Sequence, residues 1–219
     1  MSSSADFDRA NSEYLQSSIT AISAYPYTIS TWFYRDGTGT TDYVISLSST
    51  VNSARRINLQ VNASDNLTFD ARQNGSTVSF SGTTTVGSGS WNYITLLSRS
   101  STDHEIYLNG VSEATSSTDL STLLSNDRFL VSRWALGLGS YADGKIAYPV
   151  VFARTLSVDE IKQIMYMPYS IMNGCRCYLD LLATGAVVGD YKDLSINGSD
   201  ANAGTIPATS NLGPSVYFP

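Results

Sequence analysis

In Arg56-Ile57-Asn58-Leu59-Gln60-Val61-Asn62, apolar and polar residues alternate strictly, so Ile57, Leu59 and Val61 share one face of an extended chain. A helix would scatter these three residues, whereas a strand places all of them on one buried side. The next run, Asn66-Leu67-Thr68-Phe69-Asp70-Ala71-Arg72, alternates again, and Ala63-Ser64-Asp65 between the two offers a tight polar turn. Together they read as an antiparallel hairpin with one half-buried face.

From Tyr14 onward, short runs rich in Val, Ile, Tyr, Phe and Thr recur between Gly, Asn, Asp and Ser clusters, the pattern of many strands joined by turns. Residues 91–97 and 105–111 predict a second hairpin around a turn at Ser100 to Asp103. Asn109-Gly110 carries its own turn signal, because both residues tolerate positive φ. Only residues 157–165 predict helix. Ser157 caps the N-terminus, Glu160 reaches back to it, and Val158, Ile161, Ile164 and Met165 form an apolar stripe ended by Pro168. So many alternating strands close most easily as a sandwich. The expected fold class is therefore all-β: a two-sheet antiparallel jelly-roll sandwich with one short helix near residues 157–166. With no linker or repeat to divide it, the chain reads as one domain over 1–219, with 175–219 as a C-terminal extension packing back on the sandwich.

Composition excludes several functions. Charged residues make up only 15% of the chain and the formal net charge is −6, while Arg55-Arg56 is the sole adjacent basic pair. Nucleic acid is therefore not an expected partner, because phosphate binding needs clustered Lys and Arg. No apolar run approaches the roughly 20 residues of a membrane-spanning helix, so no membrane insertion is expected. Met1-Ser2-Ser3-Ser4-Ala5-Asp6 lacks the basic and apolar regions of a secretory signal. Cys175 and Cys177 flank Arg176 on a predicted strand, which places their side chains on the same face as reduced packing residues. The Asn-x-Ser/Thr sites at Asn62, Asn66, Asn74 and Asn197 read as turn residues.

Several blocks resemble, in order, the laminin G-like members of the concanavalin A-like jelly rolls. Residues 7–15, Phe-Asp-Arg-Ala-Asn-Ser-Glu-Tyr-Leu, resemble the family's opening strand, and Tyr27-Thr28-Ile29-Ser30-Thr31-Trp32 is similar to its "Phe-Thr-Ile-Ser-x-Trp" strand. Residues 91–111 resemble its Trp-anchored strand and "Leu-Tyr-x-Asn-Gly" hairpin. Residues 144–161 resemble its "Gly-x-Ile-x-x-x-x-Ile-Tyr-x-Arg-x-Leu-Ser-x-x-Glu-Ile" segment. The resemblance implies two antiparallel sheets face to face, with the short helix after the last core strand. Tyr178-Leu179-Asp180-Leu181 through Gly213-Pro214-Ser215-Val216 is similar to the tail of stand-alone members from tailed bacteriophages.

Glucanases that share this sandwich carry acidic residues at alternate strand positions, since retaining hydrolysis needs two carboxylates about 5 Å apart. Neither Glu-x-Asp-x-Glu nor Glu-x-Asp-x-x-Glu occurs here, so no catalytic residue and no enzyme activity is assigned. The only histidine, His104, falls in a predicted solvent-facing turn between Asp103 and Glu105. The family's habit of holding Ca²⁺ at the sandwich rim makes Asp36, Asp42 and Asp143 metal candidates, with Gly37 and Gly144 allowing close backbone approach. Asp-Gly is also a common turn dipeptide, and the turn reading is preferred. Trp134, Tyr141 and Tyr43 lie in or beside predicted loops and are candidates for stacking on a sugar ring, whereas Trp32 and Trp91 sit within strand blocks as packing residues. No other cofactor is expected. The first functional expectation is a non-enzymatic virion structural protein of a tailed bacteriophage, a capsid decoration or tail-associated component. It would be made in the host cytoplasm, sit on the virion surface and contact other virion proteins as a homo-oligomer. The alternative is a carbohydrate-binding module for host surface polysaccharide.

Overall fold

The computed structural model describes residues 4–52, 55–135, 140–181, 191–205, 207–210 and 213–216. The first half holds β1 (Ser4–Phe7), β2 (Tyr14–Ile22), β3 (Tyr27–Arg35), β4 (Asp42–Ser48), β5 (Arg56–Val61), β6 (Asn66–Gln73), β7 (Ser76–Thr85) and β8 (Trp91–Ser100). The second holds β9 (Asp103–Leu108), β10 (Val111–Ser116), β11 (Asn126–Val131), β12 (Gly144–Phe152), helix α1 (Val158–Tyr166), β13 (Cys175–Asp180), β14 (Lys192–Asp193), β15 (Ala201–Thr205) and β16 (Ala208–Ser210). The all-β jelly roll expected from alternation is the fold that forms.

One sheet runs β15-β2-β11-β4-β5-β6-β7, and the other runs β10-β9-β8-β3-β12-β1-β16 with β13 and β14 joined at β12. All of the registered pairings are antiparallel. The main core lies between the sheets and holds Leu15, Phe33, Ile45, Leu47, Ile57, Leu59, Phe69, Leu96, Ile106, Phe129 and Val151. A second core covers the other face of the larger sheet. There Trp32, Tyr93, Tyr107, Phe152 and Tyr178 meet Ile161, Ile164 and Met165 of α1. Each fully buried side chain of this size contributes about 1.5–3 kcal/mol.

The helix stripe is buried as expected, and Ser157 forms the full capping box with Glu160. Asn109 and Gly110 take φ of 53° and 75° between β9 and β10, the turn their sequence signals.

The two cysteines depart from expectation. Val151 registers with Cys177 but Phe152 with Cys175, so Arg176 is the extra residue of a β-bulge. Cys177 therefore enters the main core and Cys175 the second core, on opposite faces of the sheet. His104 also departs. The strands of its hairpin extend to Ser100 and Asp103, which leaves only Ser101-Thr102 for the turn and puts His104 inside β9. It shares a face with Ile106 and Leu108, is fully buried and packs 5.4 Å from the Phe69 ring. Its Nδ1 lies 2.9 Å from Ser98 Oγ and its Nε2 3.0 Å from the Ser101 carbonyl oxygen.

Candidate functional site

Because Ile57, Leu59 and Val61 point into the main core, Arg56, Asn58 and Gln60 point outward from the seven-stranded sheet. Strand register then aligns outward residues into three ranks. The middle rank is Gln16, Leu130, Ser46, Asn58, Asp70 and Ser79. On one side run Ser18, Arg128, Ser48, Arg56, Arg72 and Thr77. On the other run Tyr43, Gln60, Thr68 and Ser81. This outer face is therefore polar apart from Leu130 and Tyr43.

The middle rank is wired together. Ser46 Oγ lies 2.8 Å from both Asn58 Oδ1 and the Arg133 carbonyl oxygen, so its single proton serves one or other. Asn58 Nδ2 donates to Asp70 Oδ2 at 2.9 Å, and Arg56 Nε donates to the same oxygen at 3.2 Å. Around this chain, Ser48 Oγ, Gln60 Oε1 and the Nε groups of Arg128 and Arg133 are buried with no hydrogen-bond partner among the described residues. A buried polar group left unmet costs about 1–3 kcal/mol, and such groups occur away from this face as well, at Trp91 Nε1 and Arg176 Nε among others.

Residues 132–134 turn back over the sheet, where Ser132 N donates to the Val44 carbonyl at 2.9 Å. That path lays the Trp134 ring on Tyr43, with centroids 5.6 Å apart and planes 29° from parallel, and both side chains stay partly exposed. Burial, followed by the nearby Asp70 charge, raises the Tyr43 phenol above its ordinary pKa, so the ring is neutral. The Arg133 guanidinium sits 4.2 Å over the Tyr14 ring, a cation–π contact at the same end of the sheet.

Tyr43 and Trp134 thus come together, but Tyr141 does not join them as an exposed platform. It is only 3% exposed and lies 6.1 Å from the Tyr14 ring. Tyr14, which sequence reasoning passed over, is the partly exposed member of that pair. Arg56, Asn58, Gln60 and Asp70 were legible as outward positions of alternating strands. Their alignment with Ser46, Ser48 and Arg128 was not, since it arises from pairing β4 with β5 and β11.

Asp36, Asp42 and Asp143 do share one rim, where Asp42 Oδ1 accepts from Asp143 N at 3.0 Å and the Asp143 carbonyl accepts from Asp36 N at 3.2 Å. Protein cations, however, take two of the three carboxylates. Asp42 pairs with Arg9 and, at 2.6 Å, with Arg35; Asp36 pairs with Lys145 at 3.1 Å. Arg35 is fully buried and also reaches Asp65 at 2.5 Å and the Thr40 carbonyl. Among the described residues no three His, Cys, Asp or Glu side chains gather to hold a metal ion. Arginine and lysine groups thus stand beside Asp36 and Asp42 where a metal ion was expected.

Elsewhere an open cleft of about 580 Å³ is lined by Ser23, Tyr25, Arg99, Ser101, Asp119 and Thr122. Its one aromatic, Tyr25, stacks on Tyr27 at 5.9 Å and donates its hydroxyl to the Ser121 carbonyl at 3.3 Å. It lacks the paired platform of the sheet face.

No curated protein matches the sequence. Among solved structures, a candidate carbohydrate-binding protein of Bacteroides ovatus superposes with a TM-score of 0.76 at 15% identity, covering 99% of this chain and 62% of its own. This chain thus spans under two thirds of that protein's length. A heptameric SAP-like pentraxin of Limulus polyphemus gives 0.60 at 12% identity, covering 93% of this chain and 94% of its own. The CBM40 domain of a Ruminococcus gnavus sialidase, bound to α2,3-sialyllactose, gives 0.52 at 16% identity, covering 65% and 84%. These identities speak for the fold alone. The family described as the Concanavalin A-like lectin/glucanases superfamily, of the laminin G group, matches residues 9–162. Two face-to-face antiparallel sheets, the buried helix stripe and that match together make this chain a member of the Concanavalin A-like lectin/glucanases superfamily.

Proposed function

We propose that this chain is a non-catalytic carbohydrate-binding module whose binding surface is the outer face of the seven-stranded sheet. One observation carries the reading. The stacked, partly exposed Tyr43–Trp134 pair borders polar ranks that contain buried hydrogen-bonding atoms with no partner among the described residues. Sugars need both elements, a flat apolar ring to lie on and hydrogen-bonding groups for their hydroxyls. The carbohydrate-binding neighbours from Bacteroides ovatus and Ruminococcus gnavus agree with it. Asp70 is the sole carboxylate in the three ranks and is held by Arg56 and Asn58, whereas retaining hydrolysis needs a pair about 5 Å apart. The virion expectation ranks below this reading, because the similarity of residues 178–216 that points to it lies partly outside the described residues.

Binding to a panel of neutral and charged oligosaccharides, followed by titration calorimetry, tests the proposal. Trp134→Ala and Tyr43→Ala should each weaken the bound sugar about tenfold, or ~1.4 kcal/mol. Tyr25→Ala in the separate cleft should leave binding unchanged. A panel with no bound member, or affinity indifferent to both platform substitutions, would overturn the assignment.

A further inference from the structure

We infer that the saccharide taken by this face is acidic, and that its carboxylate or sulfate seats on the rank formed by Arg128, Ser48 and Arg56. The inference rests on the carbohydrate reading above and sharpens it to a ligand class.

Four of the 13 basic residues, Arg56, Arg72, Arg128 and Arg133, lie on this face or on the segment folded over it. Asp70 is the one acid among the ranks and Asp127 beside Arg128 feels that guanidinium, so four guanidiniums against two carboxylates leave two positive charges on a chain whose formal net charge is −6. Positive charge concentrated against the overall balance attracts an anion to that place and not elsewhere.

Elsewhere the fully buried Arg35 and the partly exposed Arg99 and Arg154 meet acids, while Arg55 and Arg176 form no ion pair among the described residues. Arg35 has Asp42 and Asp65, Arg99 has Asp103 and Glu105, and Arg154 has Glu160. No described acid forms an ion pair with Arg128, Arg72 or Arg133. Asp127, beside Arg128 in sequence, accepts instead from Thr50 N and Thr50 Oγ1, both at 2.7 Å. Ser48, fully buried, registers between Arg128 and Arg56, and its Oγ and the Arg128 Nε both lack partners among the described residues. Two guanidinium forks and a hydroxyl in one rank form a donor-rich seat. Such a seat matches the charge and the several acceptor lone pairs of a carboxylate or sulfate better than the two lone pairs of a neutral hydroxyl. The Tyr43–Trp134 platform stands on the opposite rank, so a ring stacked there can extend an acidic substituent across the sheet.

The experiment compares an oligogalacturonate, its methyl ester and a sulfated galactan oligosaccharide, alongside the neutral panel already described. The ester has the same backbone without the charge. The expected result is at least tenfold tighter binding of one or both acidic sugars than of the ester, weakened by raising NaCl and lost by tenfold or more in Arg128→Gln with Arg56→Gln. Which acidic sugar binds separates carboxylate from sulfate. Equal binding of acid and ester, or an acidic preference that survives both arginine substitutions, overturns the inference and leaves the carbohydrate reading standing. No binding by any sugar, charged or neutral, removes both. Should the double variant fail to fold, the salt dependence and the acid-to-ester ratio of the unaltered protein still decide the matter.

Discussion

Gly144 opens β12 with a φ of 134°, and a Cβ at this position would stand 2.1 Å from the Tyr34 carbonyl oxygen. Backbone cannot yield as a flexible side chain can, and the φ itself is open to little but glycine. Gly144→Ala should therefore lose about 2–4 kcal/mol in urea unfolding, while Gly37→Ala, with open space around its Cβ, should change stability by under about 0.5 kcal/mol. The sequence marked both glycines as places of close approach, but what comes close to Gly144 is a neighbouring strand. His104 makes the second case. Burial holds its pKa below the ordinary value near 6.5, so the folded protein keeps the imidazole neutral where the unfolded chain protonates it. Stability is then full above that pH and declines as pH falls through it, by no more than about 1.4 kcal/mol per pH unit for one proton. Since His104 is the only histidine, His104→Gln should flatten the change in urea midpoint between about pH 7.5 and 5.5. A wild-type midpoint constant over that range would show that the imidazole titrates alike in both states.

At the level of elements, whatever depends on neighbours within one run was legible, and whatever depends on the partner strand was not. Ser157 and Glu160 lie three residues apart, and their capping box forms as read, with Arg154 adding bonds of 2.8 and 3.0 Å to the same carboxylate. Ser157→Ala should lose about 1 kcal/mol, measured by thermal or urea unfolding. The bulge at Arg176 illustrates the other side. Period-two alternation puts Cys175 and Cys177 on one face, and only pairing with β12 reveals the inserted residue that turns them apart. Their separation into different cores carries a chemical consequence. Burial pushes the Cys175 thiol up to about 12 and the Cys177 thiol well above its ordinary value, so neither supplies thiolate at neutral pH. Native protein at about pH 8 should react with a disulfide probe far more slowly than protein in urea, where both thiols should titrate. The functional face divides in the same way. Outward positions of β5 and β6 follow from alternation, whereas the Arg128–Ser48–Arg56 rank needs β11 and β4, strands far apart in sequence, to lie side by side.

Across the whole molecule, the family match ends at residue 162, yet both sheets are completed by strands beyond it. β13 pairs with β12, β15 with β2, and β16 with β1. The same segment sends Cys177, Leu179, Leu181, Tyr191 and Ala201 into the main core and Cys175 and Tyr178 into the second. Tyr178 alone is a fully buried aromatic against Tyr169, with ring centroids 4.5 Å apart. Such interleaving makes the matched region an incomplete folding unit, because ending the chain early bares two sheet edges and part of each core at once. A chain ending at residue 174 should therefore lose its single cooperative urea transition and bind a hydrophobic dye, in the manner of a collapsed state without fixed packing. Cutting there would also uncover β2, the strand carrying Gln16 and Ser18 at the margin of the binding face, so sugar affinity should fall together with cooperativity. If the shortened chain instead unfolds cooperatively at the full-length midpoint, residues 175–219 are an appendage to a self-sufficient sandwich, and the binding face owes nothing to them.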